Sequence, residues 1–151
     1  MSISPLPLIT GASRGLGRAM AEQLLQAGHT VLGISRKQSP ELAEAAKAAG
    51  AELVQWEQDL SDPVAASGRV SAWLKTVDAQ RFDSVTLINN AGTVGNPAPL
   101  SRAVEAELSL ALRIGLEAPM LITAAFLGAT REWRGTRKVL NISSGLGRNA
   151  M

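Results

Sequence analysis

The stretch Thr10-Gly11-Ala12-Ser13-Arg14-Gly15-Leu16-Gly17 follows a short apolar run and opens a helical pattern. A helix N-terminus presents unpaired N–H groups and a partial positive charge, which suit the pyrophosphate of a dinucleotide. Glycines there permit positive φ angles and a close approach of the backbone to a ligand. The spacing G-x-x-x-G-x-G differs from the common G-x-G-x-x-G fingerprint. In an alternative interpretation, the glycines only allow a tight turn between strand and helix.

Short apolar runs alternate with helical patterns along the rest of the chain, as they do in a parallel α/β sheet. The predicted strands are Pro7 to Thr10, His29 to Ser35, Ala51 to Trp56, Ser84 to Ile88 and Lys138 to Ile142. The predicted helices end near Ala27, Ala49, Ala79 and Ala129, and the last three begin near Ser39, Asp62 and Arg102. This order predicts one doubly wound parallel sheet, a Rossmann fold, in a single domain over residues 1–151.

Specific residues mark where these helices begin and end. Ser39-Pro40 and Asp62-Pro63 each offer an N-cap followed by proline at the first helical position. Gly28 and Gly50 are predicted to stop the first two helices, because glycine adopts the left-handed conformation at little cost. Pro119 is predicted to kink the last helix, because it lacks an N–H and crowds the preceding turn.

Composition excludes several classes of protein. The chain has 151 residues, of which 46% are hydrophobic and 19% charged, enough for one compact domain and too apolar for a disordered chain. There is no cysteine and only one histidine, His29, so neither a disulfide framework nor a zinc site of the usual ligands is expected. A net charge of +2 and 3% aromatic residues argue against a nucleic-acid groove.

Neither a signal peptide nor a membrane span is predicted. Met1-Ser2-Ile3-Ser4-Pro5 lacks a basic segment followed by an apolar run. The most apolar stretch, Leu108 to Ala129, is interrupted by Arg113, Glu117 and Pro119. We therefore expect a cytoplasmic protein without membrane contact.

The C-terminal half of the pattern does not fit a finished domain. The chain stops nine residues after the fifth predicted strand, without a helix to cover that side of the sheet. A nearly continuous apolar helix face also lacks an obvious partner, and it is formed by Leu108, Leu112, Met120, Ile122 and Phe126. We expect the chain to be the N-terminal part of a longer one, truncated after the fifth strand.

The end of the second strand indicates which dinucleotide is bound. In such folds an acidic residue about 20 positions beyond the glycines contacts the ribose 2′-hydroxyl of NAD. Here Ser35-Arg36-Lys37 stands at that place, without a carboxylate. Arg36, with Arg14 in the glycine turn, could bind a 2′-phosphate through charge-assisted hydrogen bonds, which predicts NADP(H) as the cofactor. Alternatively, Arg36 and Lys37 only solvate a loop.

Three segments at successive strand ends together resemble the short-chain dehydrogenase/reductase family in type, order and spacing. They are Thr10 to Gly17, Asn89-Asn90-Ala91-Gly92 and Asn141-Ile142-Ser143-Ser144. The resemblance covers essentially the whole chain. Asn-Asn-Ala-Gly-Thr-Val, with the later Ala-Pro-Met-Leu-Ile-Thr, is more weakly similar to sepiapterin-reductase-like and benzil-reductase-like members.

The resemblance implies roles for individual residues. It implies cofactor contacts for Gly11, Ser13, Arg14, Gly15, Leu16, Gly17, Asp59, Leu60, Asn89, Asn90, Ala91 and Gly92, and catalysis for Ser144. The Ser144 hydroxyl would polarise the substrate carbonyl as the hydride arrives. Two alternatives stay open: Asp59 could merely cap a loop, and the two serines could merely terminate the strand.

The chain departs from the family pattern in two ways. The family's proton donor is a tyrosine followed four residues later by a lysine, and this chain contains no tyrosine. Gly115 stands where the family usually has an asparagine whose backbone anchors a water in the proton relay. The glycine still offers a backbone carbonyl.

These observations predict an NADP(H)-dependent oxidoreductase that transfers a hydride between NADPH and a small carbonyl or alcohol substrate. The 151 residues alone are expected to be inactive. The resemblance also implies a homo-oligomer, a dimer or tetramer, formed through the long helix, although its apolar residues from Leu108 to Phe126 could equally cover the sheet. The alternatives are a non-catalytic dinucleotide-binding or regulatory protein and a fragment without a function of its own. The substrate's identity does not follow from the sequence.

Overall fold

Five parallel strands form one sheet in the order β3-β2-β1-β4-β5 in a computed structural model, which describes residues 4–144. The strands are β1 (Pro5–Thr10), β2 (Val31–Ser35), β3 (Leu53–Glu57), β4 (Ser84–Asn89) and β5 (Thr136–Asn141). The chain winds outward from β1 to β3, returns to place β4 on the other side of β1, and then continues to β5. The predicted doubly wound fold is therefore confirmed. Residues 1–3 and 145–151 lie outside the described part. Residues 1–3 include part of the segment from which the absence of a signal peptide is predicted.

Helices lie on both faces of this sheet, but every residue of β5 is exposed. They are α1 (Gly15–Gln26), α2 (Pro40–Ala49), α3 (Pro63–Leu74), α4 (Glu105–Leu112) and α5 (Ala118–Ala129). The predicted caps are confirmed: the Ser39 and Asp62 side chains accept hydrogen bonds from the N–H groups of Leu42 and Ala65. Gly28 and Gly50 follow α1 and α2 with φ angles of +81° and +62°.

Helix α3 is shorter than predicted, because it ends at Leu74 and not near Ala79. Beyond it, the Thr76 hydroxyl donates to the Trp73 carbonyl at 2.7 Å, and the Asp78 carboxylate accepts from the Gln80 N–H at 3.0 Å. Short polar side chains of this kind offer the backbone an alternative to the helical ladder. The chain accordingly turns into a short 3₁₀ helix over Ala79–Arg81.

The predicted long helix is divided by a wider π-helical turn over Arg113–Glu117. In this turn the Ala118 N–H bonds to the Arg113 carbonyl, five residues back. Pro119 lies in the first turn of α5 and has no N–H to donate to the carbonyl of Gly115, four residues earlier. The structure therefore has a π turn just before Pro119, and the kink predicted there stays a prediction.

Two apolar cores lie on opposite faces of the sheet. One is packed beneath α1 and α2, and the other beneath α3 and α5. The expectation that Ile122 and Phe126 lack a partner is wrong, since both side chains are fully buried in the α3–α5 core. Leu108, Leu112 and Met120 are exposed as expected, with exposed fractions of 40%, 63% and 62%.

The segment Glu105–Ala129, taken as one helix, is long and apolar enough to span a membrane, with a mean hydropathy of 1.6. The interruption by Arg113, Glu117 and Pro119 does not prevent it from meeting this criterion. The core helix of a soluble protein meets the same criterion when it is mostly buried, but only 17% of the apolar window is buried here. Ile122 and Phe126 are among the buried residues of α5.

Candidate active site

The glycine turn between β1 and α1 is bound to the end of β2. The Gly11 N–H donates to the Ile34 carbonyl at 2.8 Å, and the Ser13 N–H donates to the Ser35 hydroxyl oxygen at 3.0 Å. Gly11 and Gly15 have φ angles of +70° and +56°, which side chains disfavour. The turn thus has a fixed path, and two of its glycines are required by the backbone conformation.

The same turn is bound on its other side to the end of β4. The Thr10 hydroxyl oxygen accepts from the N–H groups of Asn90 and Ala91, both at 3.0 Å. The Asn90 amide Nδ2 donates to the carbonyls of Thr10 and Gly11 at 3.1 and 3.3 Å. Two segments that the sequence placed 80 residues apart, the glycine turn and Asn90-Ala91, therefore lie in contact at the point where the strand order reverses.

Gly17 and Gly11 are required by close packing as well. A Cβ at Gly17 would overlap the Gly11 carbonyl oxygen and would lie 2.5 Å from Asn90 Nδ2. A Cβ at Gly11 would lie 3.0 Å from Ala91 Cα. The first turn of α1 therefore rests directly on the backbone of the glycine turn, at a distance that only glycine permits.

The N-terminus of α1 differs from those of α2 and α3. Its N-cap residue, Arg14, has extended backbone and makes no side-chain capping bond, whereas Ser39 and Asp62 cap the other two. Val104 at the start of α4 is uncapped as well, but no glycine turn precedes it. Gly15 and Leu16 beside Arg14 are exposed. An uncapped helix start keeps N–H donors available for an anion, so the residues present fit a bound phosphate group.

The residues predicted to contact the adenosine end follow β2 and β3. Arg36 and Asp59 are both exposed, whereas Leu60 is buried in the α3–α5 core. The Ser61 N–H donates to Asp59 Oδ1 at 2.8 Å, so Asp59 does cap its loop. Mainly through this bond, and with a further contribution from the charge of Arg36, the pKa of Asp59 is lowered. Asp59 therefore stays a carboxylate at neutral pH.

At the other end of the site, β5 is bound to β4 through two asparagines. Asn89 Nδ2 donates to Asn141 Oδ1 at 2.9 Å and to the Thr123 hydroxyl of α5 at 3.1 Å. The Ile142 N–H donates to the Asn89 carbonyl at 3.0 Å. These bonds fix the segment that leads to Ser144, which is exposed three residues beyond the end of β5. Gly92 is exposed in the loop after β4.

Sequence reasoning missed the roles of four residues. Thr10, Ser35 and Thr123 bind the segments of the site to one another, and Gln55 binds the backbone of Ser39 at the start of α2. Thr10 was visible only as the residue before the first glycine, and Ser35 only as the end of a strand. The hydrogen bonds of Gln55 and Thr123 are to residues distant in the sequence. Their polarity alone carries no signal for such a role.

A doubly wound sheet whose glycine turn lies at the β1–β4 switch point defines the class of dinucleotide-binding α/β proteins. The model of the short chain dehydrogenase family matches residues 6–151. The chain belongs to this family, as the motifs predicted.

Relatives and solved structures agree with this assignment. The chain is 37% identical over 142 residues to benzil reductase ((S)-benzoin forming) of Bacillus cereus and 33% identical over 158 residues to sepiapterin reductase of Xenopus tropicalis. These matches cover 94% and 93% of this chain, but only 57% and 58% of the length of the two reductases. A short-chain dehydrogenase/reductase structure from Burkholderia vietnamiensis superposes with a TM-score of 0.86 at 37% identity, covering 97% of this chain and 68% of that one.

A second solved structure is a metagenomic short-chain oxidoreductase in complex with NADP. It is 31% identical with a TM-score of 0.78, over 97% of this chain and 64% of that one. The matches to benzil reductase and sepiapterin reductase confirm the predicted resemblance to these members of the family. The chain spans a little more than half the length of these two reductases.

We predict that Gly17→Ala destabilises the protein by about 1–3 kcal/mol, the usual cost of forcing an extra carbon into a packed site. The matched control is Gly68→Ala in α3, where a Cβ meets nothing within 4 Å. The control is expected to stabilise by about 0.5–1 kcal/mol, because alanine is the better helix former. Urea unfolding followed by tryptophan fluorescence measures both; equal effects would contradict the packing argument.

Proposed function

We propose that this chain is the cofactor-binding part of an NADP(H)-dependent oxidoreductase that acts on a carbonyl or alcohol substrate. The observation that carries the proposal is the uncapped N-terminus of α1, presented by a glycine turn that packs on Asn90-Ala91. This arrangement supplies donors for a pyrophosphate at the carboxyl ends of the strands, where doubly wound proteins bind nucleotides.

The choice of NADP(H) over NAD(H) rests on the residues after β2. Arg36 is exposed there, and no carboxylate occupies the segment to compete for a ribose hydroxyl. In the proposed complex, Arg36 binds the 2′-phosphate, and Arg14 in the glycine turn forms the other side of the site. The related metagenomic oxidoreductase in complex with NADP supports this choice.

Ser144 is proposed as the residue that acts on the substrate. Its hydroxyl donates to the substrate carbonyl oxygen and stabilises the negative charge that develops there. The bound NADPH supplies the hydride. The bonds from β4 to Asn141 and Ile142 hold the Ser144 segment at the same edge of the sheet as the glycine turn.

The general acid is proposed to lie outside the 151 residues, none of which is tyrosine. A phenol with an ordinary pKa of about 10 needs a neighbouring cation to work near neutral pH. We therefore expect a Tyr-x-x-x-Lys pair in the complete gene product, beyond residue 151. The first relatives matched are longer than this chain, which supports the proposal.

The proposed substrates are small-molecule ketones and aldehydes. Two of the relatives, at 37% and 36% identity, are benzil reductases, so an aromatic diketone is the probe of choice. We also propose a homo-oligomer in the cytoplasm, with the exposed Leu112 and Met120 face of α4 and α5 between copies.

We predict that Arg36→Ala weakens NADPH binding about 10- to 100-fold, because charged hydrogen bonds to a phosphate are among the stronger ones. NADH binding is expected to stay within about twofold, since NADH has no 2′-phosphate. Isothermal titration calorimetry on the complete gene product measures both dissociation constants. Arg131→Ala, at an exposed arginine in the turn after α5, is the control. A parallel loss of both cofactors would contradict the assignment of Arg36.

We predict that the complete gene product oxidises NADPH in the presence of benzil and that Ser144→Ala lowers kcat about 100-fold or more, as loss of a transition-state donor does. Absorbance at the NADPH band follows the reaction. The alternative is a non-catalytic dinucleotide-binding protein, favoured by the absence of tyrosine in this chain. Binding of NADPH without turnover of any carbonyl, by a gene product without a Tyr-x-x-x-Lys pair, would support it.

The π turn bears on the proton relay. Gly115 stands where the resemblance implies an asparagine, whose backbone carbonyl would bind the relay water. Because Pro119 has no N–H, it cannot occupy the Gly115 carbonyl with an α-helical bond. We propose that this carbonyl serves the relay in place of the family's asparagine.

We predict that Pro119→Ala lowers kcat about tenfold or more by restoring a helical donor to the Gly115 carbonyl, within the range that proton-transfer groups contribute. Gly115→Asn is the matched variant: a Cβ there meets nothing within 4 Å, and the carbonyl is kept, so kcat should hold. Steady-state kinetics of NADPH oxidation distinguishes the two. An unchanged kcat in Pro119→Ala would refute this role.

A further inference from the structure

Gln55 lies in the edge strand β3 and binds both backbone groups of a single residue in the neighbouring loop. Its amide Oε1 accepts from the Ser39 N–H at 2.8 Å, and its Nε2 donates to the Ser39 carbonyl at 3.0 Å. Gln55 is half-buried, and Ser39 is 2% exposed. A side-chain amide with one donor and one acceptor group fits this pair of backbone groups, so the two residues form a bidentate clamp.

Ser39 is the residue at which α2 begins. Its hydroxyl oxygen accepts from the Leu42 N–H at 3.3 Å, and its carbonyl accepts from the Ala43 N–H at 3.3 Å. The clamp therefore fixes the start of α2 on β3. It also fixes the end of the connection that enters this helix from β2.

The beginning of that connection is fixed too. The Ser35 carbonyl accepts from the Gln58 N–H at 2.8 Å, and its hydroxyl oxygen accepts from the Ser13 N–H of the glycine turn at 3.0 Å. Only residues 36–38 lie between the two fixed points, and all three are exposed. Arg36 is the first of them.

We propose that Gln55 is a positioning residue that determines cofactor specificity. It holds the segment 36–38 in one conformation and thereby keeps Arg36 in place for the 2′-phosphate of NADP(H). Gln55 itself does not touch the cofactor. The inference rests on the proposed function, because it assigns a cause to the selectivity that Arg36 is expected to confer.

The physical reason is conformational entropy. Binding a phosphate orders the long side chain of an arginine and costs conformational entropy, and ordering a mobile backbone adds to that cost. A segment held at both ends has already lost most of its backbone freedom before the ligand arrives. NADH has no 2′-phosphate and does not use Arg36, so its affinity does not depend on the clamp.

The test is Gln55→Met, which keeps the length of the side chain and removes both hydrogen bonds. In the complete gene product, we expect NADPH to bind about five- to tenfold more weakly, the factor that corresponds to ordering about one backbone residue on binding. NADH binding should change by less than about twofold, because NADH lacks the 2′-phosphate that Arg36 in the segment 36–38 binds. Gln80→Met, an exposed glutamine in the 3₁₀ helix Ala79–Arg81 before β4, is the matched control and should change neither constant.

A double-mutant cycle with Arg36→Ala shows whether Gln55 acts through Arg36. In the Arg36→Ala background, Gln55→Met should have no further effect on NADPH binding. Equal weakening of NADPH and NADH, or full additivity of the two substitutions, would overturn the inference. If Gln55→Met does not fold, Gln55→Thr suits an edge strand and is too short to reach Ser39, so it serves in its place.

The outcome for the wild-type protein separates this inference from the proposed function. A wild-type protein that does not bind NADPH refutes the proposed function, and the inference with it. A wild-type protein that prefers NADPH, together with an unchanged preference in the Gln55 variant, refutes the inference alone.

Discussion

The contact between the first turn of α1 and the carboxyl end of β4 is the constraint on which the site depends. It is made possible by the absence of a side chain at Gly11 and Gly17 and is fixed by the amide of Asn90. The Thr10 hydroxyl adds two bonds from the backbone that follows β4. Because β1 and β4 are the strands at which the winding reverses, this one contact joins the two halves of the sheet at their functional edge.

The architecture could be predicted from the sequence because its signals are local. Ser39-Pro40, Asp62-Pro63 and the two glycines Gly28 and Gly50 act through backbone geometry within a few residues. They mark helix ends in almost any fold. The glycine turn belongs to the same class of signal, because its positive φ angles at Gly11 and Gly15 are properties of single residues.

The errors come from interactions that depend on the rest of the molecule. The sequence predicted no partner for Ile122 and Phe126, because the helix that covers them, α3, lies more than 40 residues earlier in the chain. The end of α3 was misplaced because Thr76 and Asp78 bind the backbone in a way that propensity does not indicate. The cofactor contacts of the site residues stay predictions, whereas the links through Ser35, Gln55 and Thr123 became visible only when the strands were placed side by side.

The strand order also determines how much chain must be closed before each pair of strands can form. Each of the crossovers that join β1, β2 and β3 contains one helix. The pairing of Leu8 with Leu87 instead closes a loop that contains β2, β3 and the helices α1 to α3. Loop closure over such a separation is slow compared with local pairing. During synthesis, the three N-terminal strands can therefore pair while the edge of β1 that later binds β4 is still unpaired. The glycine turn then acquires its hydrogen bonds to Asn90 only when the end of β4 is in place.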